Sequence, residues 1–234
     1  MIHPHFLRPS LLIFATILLT SGCAVGEGKS QFSYKDLPVS KDNAASGDGS
    51  TVAFRGAPLK LEGNTVRVGD PLRDAKLAGP DLKLMSLAET KGKVRIVSIV
   101  PSLDTKVCEQ QTHYLSEKNA GLDQSIQLIT VSVDTPFAQK RFAEDTKISN
   151  ITFLSDYRGG DFGRAYGLLV PDMHVLARSI MVVDRDNVIR YLQIVPELGS
   201  LPDMDAAFQV ARQTAGLRES AKPSSGGSSM SGSY

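Results

Sequence analysis

Pro101-Ser102-Leu103-Asp104-Thr105-Lys106-Val107-Cys108 sets a proline, a hydroxyl and a thiol four and then three residues apart. The chemistry open to such a segment is that of a nucleophilic sulfur. The thiolate is the reactive form, and a free cysteine is mostly protonated at neutral pH, so a working cysteine needs surroundings that favour its anion. The segment follows a strand-like run over residues 94–100 and opens a helix-like run over 108–120. In open α/β sheets, functional groups gather at such strand-to-helix passages. A sulfur in the first helical turn meets unpaired backbone N–H groups and the positive end of the helix dipole, and both favour thiolate. Thr105 can set its hydroxyl beside the sulfur, or it can serve only as a helix N-cap. Pro101 can fix the loop that shields the thiol. Cys108 by itself reads more readily as an inert core residue, the common fate of lone cysteines.

The second cysteine, Cys23, closes a different kind of segment. His3, His5 and Arg8 precede an uncharged run over residues 9–19, which ends in Thr20-Ser21-Gly22-Cys23. This run is shorter than the ~20 apolar residues a spanning helix needs, and it stops at small residues, as an export signal does. Gly22-Cys23 resembles a bacterial lipobox, in which Cys23 is lipidated and becomes the new N-terminus. The reading is therefore a lipoprotein signal peptide over residues 1–22 and a membrane-anchored protein of the bacterial cell envelope, facing the periplasm or exterior. An ordinary export signal with an incidental Cys23 is the alternative. With Cys23 acylated, Cys108 is the single free thiol of the chain, and no intrachain disulfide can form.

The elements that would position Cys108 follow from pattern. Residues 23–50, rich in Gly, Ser, Lys and Asp, read as a flexible tether, and residues 218–234 as a disordered tail. About 165 residues, 51–217, remain for one domain, within the ordinary size range. Residues 51–54, 59–61 and 65–68 suggest short N-terminal hairpin strands. The run 94–100, dominated by β-branched residues, reads as a central strand covered on both faces. Strands at 126–133, 151–154, 179–184 and 188–194 alternate with helices at 137–146, 161–166 and 203–215, the last two strands forming a hairpin across Asp186-Asn187. The fold class is α/β with a mixed central sheet flanked by helices. A formal net charge of +1 gives no reason to expect nucleic acid as a partner. The histidines, including His113 and His174, show no metal-ligand spacing, so neither a metal nor another cofactor is expected. Asp134 reads as a turn or cap residue.

Pro-x-x-x-Thr-x-x-Cys resembles the active-site motif of peroxiredoxins, and the longer Val100 to Thr112 segment is similar to their thiol peroxidase branch. Phe54-Arg55-Gly56, Leu61-Glu62-Gly63, Leu154-Ser155-Asp156-Tyr157-Arg158, Phe162-Gly163 and Leu176-Ala177-Arg178-Ser179 agree with that branch in order, across about residues 51–217. The resemblance implies a thioredoxin-like fold with an N-terminal β-hairpin, and a homodimer. It implies that Cys108 attacks a hydroperoxide and becomes a sulfenic acid. Thr105 would hydrogen-bond the sulfur and the peroxide, and Pro101 would screen the site. Arg178 would favour the thiolate and stabilise charge developing along the O–O bond. Gln111 is a lesser candidate for orienting Arg178 or the loop.

One departure matters. The branch usually carries a resolving cysteine on the helix after Asp134-Thr135-Pro136-Phe137-Ala138-Gln139, and Ala143 stands at that position here. A sulfenic acid without a partner in its own chain must be reduced by an external thiol or a thioredoxin-like protein, or oxidise further. The alternative to such an enzyme is a peroxide-sensing module that passes its oxidation to a partner as a mixed disulfide, with little turnover. A remnant that keeps only the fold is a third reading, opposed by the intact Pro101, Thr105, Cys108 and Arg178.

Overall fold

The computed structural model describes residues 32–217. The expected signal peptide, the lipidation site Cys23 and the expected tail from residue 218 lie outside the described residues. In chain order the elements are β1 (Thr51–Phe54), β2 (Ala57–Lys60), β3 (Lys76–Ala78), β4 (Leu84–Ser86), β5 (Arg95–Ile99), α1 (Lys106–Glu117) and β6 (Gln127–Ser132). They continue with α2 (Pro136–Thr146), β7 (Ile151–Ser155), α3 (Asp161–Tyr166), β8 (Leu169–Val170), β9 (Val175–Leu176), β10 (Ser179–Val183), β11 (Ile189–Ile194) and α4 (Met204–Ala215).

The main sheet has the order β11-β10-β5-β6-β7-β3-β4. It is mixed: β5, β6 and β7 run parallel, while β10 runs antiparallel to both β5 and β11. All five residues of β5 and of β10 are buried. That burial follows from the layering, because alternate residues of each strand meet apolar side chains on both faces. Ile96, Val182 and Leu128 pack with Leu115 of α1 and with Ala207, Phe208 and Ala211 of α4. Val97, Ile99 and Met181 point into the opposite layer with Phe162, Tyr166 and Leu168. Each large aliphatic side chain fully buried in this way is worth ~1.5–3 kcal/mol.

Helix starts are set by side-chain caps. Thr105, Thr135 and Asp203 accept from the backbone N–H of Cys108, Ala138 and Ala206. Such caps contribute ~1 kcal/mol each. The β1–β2 hairpin turns through Arg55 and Gly56, whose φ values of 53° and 78° match the two left-handed residues of a type I′ turn.

Three expectations are corrected. Residues 65–68 form no strand: Val66 is buried, and its N–H and carbonyl are both satisfied by the Ser46 hydroxyl, at 2.8 and 3.0 Å, instead of by a strand. The short strands β3, β4, β8 and β9 carry no sequence signal, since two or three residues give no readable alternation. Residues 34–50, expected within the tether, are laid along the domain. Gln110 Nε2 donates to the Lys35 carbonyl at 2.9 Å, and the Lys35 N–H donates back to Gln110 Oε1 at 2.7 Å. Ala44 N–H donates to Ile194 O, and Ile194 N–H donates to Asn43 Oδ1, both at 2.8 Å. The strap thus covers the open edge of β11 with a backbone bond and a side-chain bond.

Candidate active site

Cys108 is the third residue of α1, next to the end of β5, and its side chain is fully buried against Val100 and Leu103. Arg178 arrives from the other side. It immediately precedes β10, whose first residue, Ser179, pairs with Ile99, the last of β5. The antiparallel register therefore brings Arg178 to the same end of the sheet as Pro101 and the start of α1. No local feature could do this across 70 residues of chain.

Arg178 is only 2% exposed. Nη2 donates to Cys108 Sγ at 3.3 Å, Nη1 to Gln111 Oε1 at 2.7 Å, and Nε to the Leu198 carbonyl at 2.9 Å. Among the described residues it forms no ion pair with a carboxylate; its acceptors are an amide, a carbonyl and the sulfur. Burying a charge without a counter-charge is costly, so these three acceptors carry what solvation the guanidinium has. Gln111 fixes the fork in turn: its Nε2 donates to Ser98 Oγ at 2.8 Å, which leaves Oε1 facing Arg178. Gln111 is the stronger member of the network than its sequence suggested, because its role depends on a residue 67 positions away.

The loop before the helix is anchored by Asp134. Its Oδ1 accepts from Ser102 Oγ and its Oδ2 from the Leu103 N–H, both at 2.7 Å. This carboxylate does more than cap a turn: it ties the residues covering the sulfur to the entry of α2. Pro101 is partly buried at the head of the same loop. Of the two readings of Thr105, the structure shows the helix N-cap. Its hydroxyl donates to the Ser102 carbonyl at 3.3 Å and accepts from the Cys108 N–H at 3.4 Å, not from or to the sulfur. The residue is exposed, and both bonds are long, so the hydroxyl can exchange partners at little cost.

A cleft of about 360 Å³ opens between the start of α1 and α2, lined in part by Leu103, Thr105, Glu109, Arg141 and Phe142. Cys108 does not line it. The cleft reaches the layer around the sulfur, namely Leu103 and Thr105, and a small oxidant meets Sγ only when that layer gives. Among the described residues no group of His, Cys, Asp and Glu side chains could hold a metal ion. Ala143 lies on α2, one residue from Phe142 of the cleft. Cys108 is the free cysteine of the described residues.

Comparison with known proteins bears on the fold and the family. The Redoxin family matches residues 67–208. A thiol peroxidase of Streptococcus pneumoniae is 43% identical over 161 residues, covering 69% of this chain and 98% of the relative. A thiol peroxidase of Halalkalibacterium halodurans is 39% identical over 163 residues, 70% of this chain and 98% of that one. Among solved structures, a peroxiredoxin-like protein from Aquifex aeolicus superposes with a TM-score of 0.67 at 34% identity, covering 74% of this chain and 99% of that chain. With the thioredoxin-like fold, the buried Cys108 and its arginine in place, the chain belongs to the redoxin family, in the thiol peroxidase branch of the peroxide-reducing peroxiredoxins.

Proposed function

We propose that the protein reduces hydrogen peroxide and organic hydroperoxides in a one-cysteine cycle centred on Cys108. The thiolate attacks one peroxide oxygen, the O–O bond breaks, and the departing oxygen leaves as water or an alcohol after taking a proton. The sulfur is oxidised by two electrons to a sulfenic acid. An external thiol or thioredoxin-like reductant then condenses with it, releasing water and forming a mixed disulfide, and a second thiol releases Cys108. The observation that carries the reading is the Arg178 Nη2 contact with Sγ at 3.3 Å, made by a buried guanidinium that pairs with no carboxylate among the described residues. Negative charge grows on the oxygens as the bond breaks, so a fixed cation there favours the transition state over the ground state. In this reading Thr105 turns its weakly held hydroxyl to the peroxide once the loop gives, and Pro101 keeps water off the sulfur.

Ala143, at the position of the missing resolving cysteine, makes the reductant external. Lipidation at Cys23 would tether the enzyme to a membrane of the bacterial envelope, on the periplasmic or outer side, where oxidised lipid is at hand. The protein would work as a homodimer. Ala143 also favours a second reading, a sensor that is oxidised once and hands its oxidation to a partner. The test is to treat the reduced full chain with one equivalent of hydrogen peroxide in the presence of dimedone and map the adduct by mass spectrometry. The proposal expects one adduct, on Cys108, absent in Cys108→Ser; no adduct on Cys108 would overturn it.

A further inference from the structure

We propose that Glu197, with the tip of the β1–β2 hairpin, is a positioning device for Arg178; the inference rests on the peroxidase reading above. Arg178 has three anchors, and one of them, the Leu198 carbonyl at 2.9 Å, belongs to a turn rather than to a strand or helix. That turn is held by the buried Leu198 side chain, by the Val195 N–H on the Arg178 carbonyl, and by the hairpin. Ala53 N–H donates to the Pro196 carbonyl at 2.6 Å, and Leu198 N–H donates to the Ala53 carbonyl at 2.8 Å, so β1 runs parallel to residues 196–198 as a short bridge. The Glu197 carboxylate completes the clamp. Oε1 accepts from the Arg55 N–H at 3.0 Å and from the Gly199 N–H at 3.2 Å, and Oε2 accepts from the Gly56 N–H at 3.0 Å.

The hairpin tip is shaped for this. Arg55 and Gly56 both have positive φ, which turns two successive N–H groups towards one carboxylate. A carboxylate accepting several backbone N–H bonds is held as an anion, and each such bond is stronger than a neutral one. Partial burial opposes the charge, yet the donors from Gly56, Gly199 and Arg55 outweigh it and hold the Glu197 carboxyl below its usual range. Removing the carboxylate frees the tip and the Gly199 N–H together, and leaves Leu198 held by its backbone bond to β1 and its buried side chain. The Leu198 carbonyl then drifts, and the guanidinium that it steadies drifts with it. The partners of the Glu197 carboxylate are backbone N–H groups and not the sulfur, so its influence on Cys108 runs through Arg178.

The test measures the rate constant for oxidation of Cys108 by hydrogen peroxide in the reduced full chain, with no reductant present. It compares Glu197→Ala, Arg178→Ala and the double variant with the unsubstituted protein, alongside the thiolate absorbance at 240 nm and the far-ultraviolet circular dichroism. A residue acting through Arg178 loses its effect when Arg178 is gone, whereas a general structural defect slows both backgrounds alike. The inference expects Glu197→Ala to slow oxidation about tenfold with Arg178 present and less than about twofold without it, with a smaller thiolate band and an unchanged dichroism spectrum. Equal slowing in both backgrounds, or none in either, overturns it. If Arg178→Ala itself oxidises as fast as the unsubstituted protein, the role given to Arg178 in the proposed function falls first, and this inference falls with it. Should Glu197→Ala fail to fold, Glu197→Gln supplies the same comparison: it keeps one acceptor and sets an amide donor against the Gly56 N–H.

Discussion

Arg178 is gripped by an amide, a carbonyl and a sulfur, and the three grips differ in what they demand of the rest of the chain. The sulfur and the amide both come from α1, where Cys108 and Gln111 are three residues apart and so share a face. Gln111→Met keeps the volume and removes the acceptor. We expect it to cost ~1–3 kcal/mol of stability through an unsatisfied buried guanidinium donor. We also expect peroxide oxidation of Cys108 to slow by about an order of magnitude. Denaturant unfolding and stopped-flow oxidation check the two effects, and a variant that oxidises at the normal rate would remove Gln111 from the network. The motif spacing around Cys108 was readable because it is local. Arg178 was readable only through resemblance, since nothing near it in sequence distinguishes a surface arginine from one buried against a sulfur. Asp134 looks like a turn residue in sequence for the same reason: its two acceptors are used by Ser102 and Leu103, some thirty residues earlier.

At the scale of elements, the main strands and helices were legible from periodicity and the β-branched runs, and the strap was not. Residues 34–50 have the composition of a linker, and polar residues carry its attachment: Asn43 bonds Leu192 O and Ile194 N–H, while Ser46 holds both backbone groups of Val66. Polar composition reports low apolar burial, and it is silent on hydrogen bonds made to an open strand edge. The failed strand at 65–68 has the same origin, because a serine hydroxyl stands where a neighbouring strand was expected. Uncovering β11 leaves unpaired backbone groups on a sheet edge, a template for association. A chain beginning at Gly47 should therefore melt at a lower temperature than the full chain and associate beyond its oligomeric state, as read by thermal unfolding and light scattering. An unchanged melting temperature and mass would show that the strap contributes nothing to the domain.

Across the whole molecule, several carboxylates are held below their usual range by donors that exist only in the fold. For Asp184, partial burial opposes ionisation, but N–H donors from Val188 and Asp186 and the Arg190 guanidinium outweigh it. A depressed folded value means that this stabilisation is present above the ordinary carboxylate range and is lost as the pH falls through the folded value. Asp184→Asn retains an oxygen for the turn and loses the ion pair with Arg190. Its melting temperature should lie below that of the unsubstituted protein at pH 7, and the gap should close as the pH falls below about 3.8. A gap constant from pH 7 to pH 3 would contradict the assignment.

A one-cysteine peroxidase built on Cys108 should show itself in steady-state consumption of cumene hydroperoxide by the full chain with excess dithiothreitol, set against Cys108→Ser. Sustained turnover is expected from the unsubstituted protein, many equivalents of peroxide per chain, and none from the variant. Consumption that stops after one equivalent, or continues undiminished in Cys108→Ser, would contradict it.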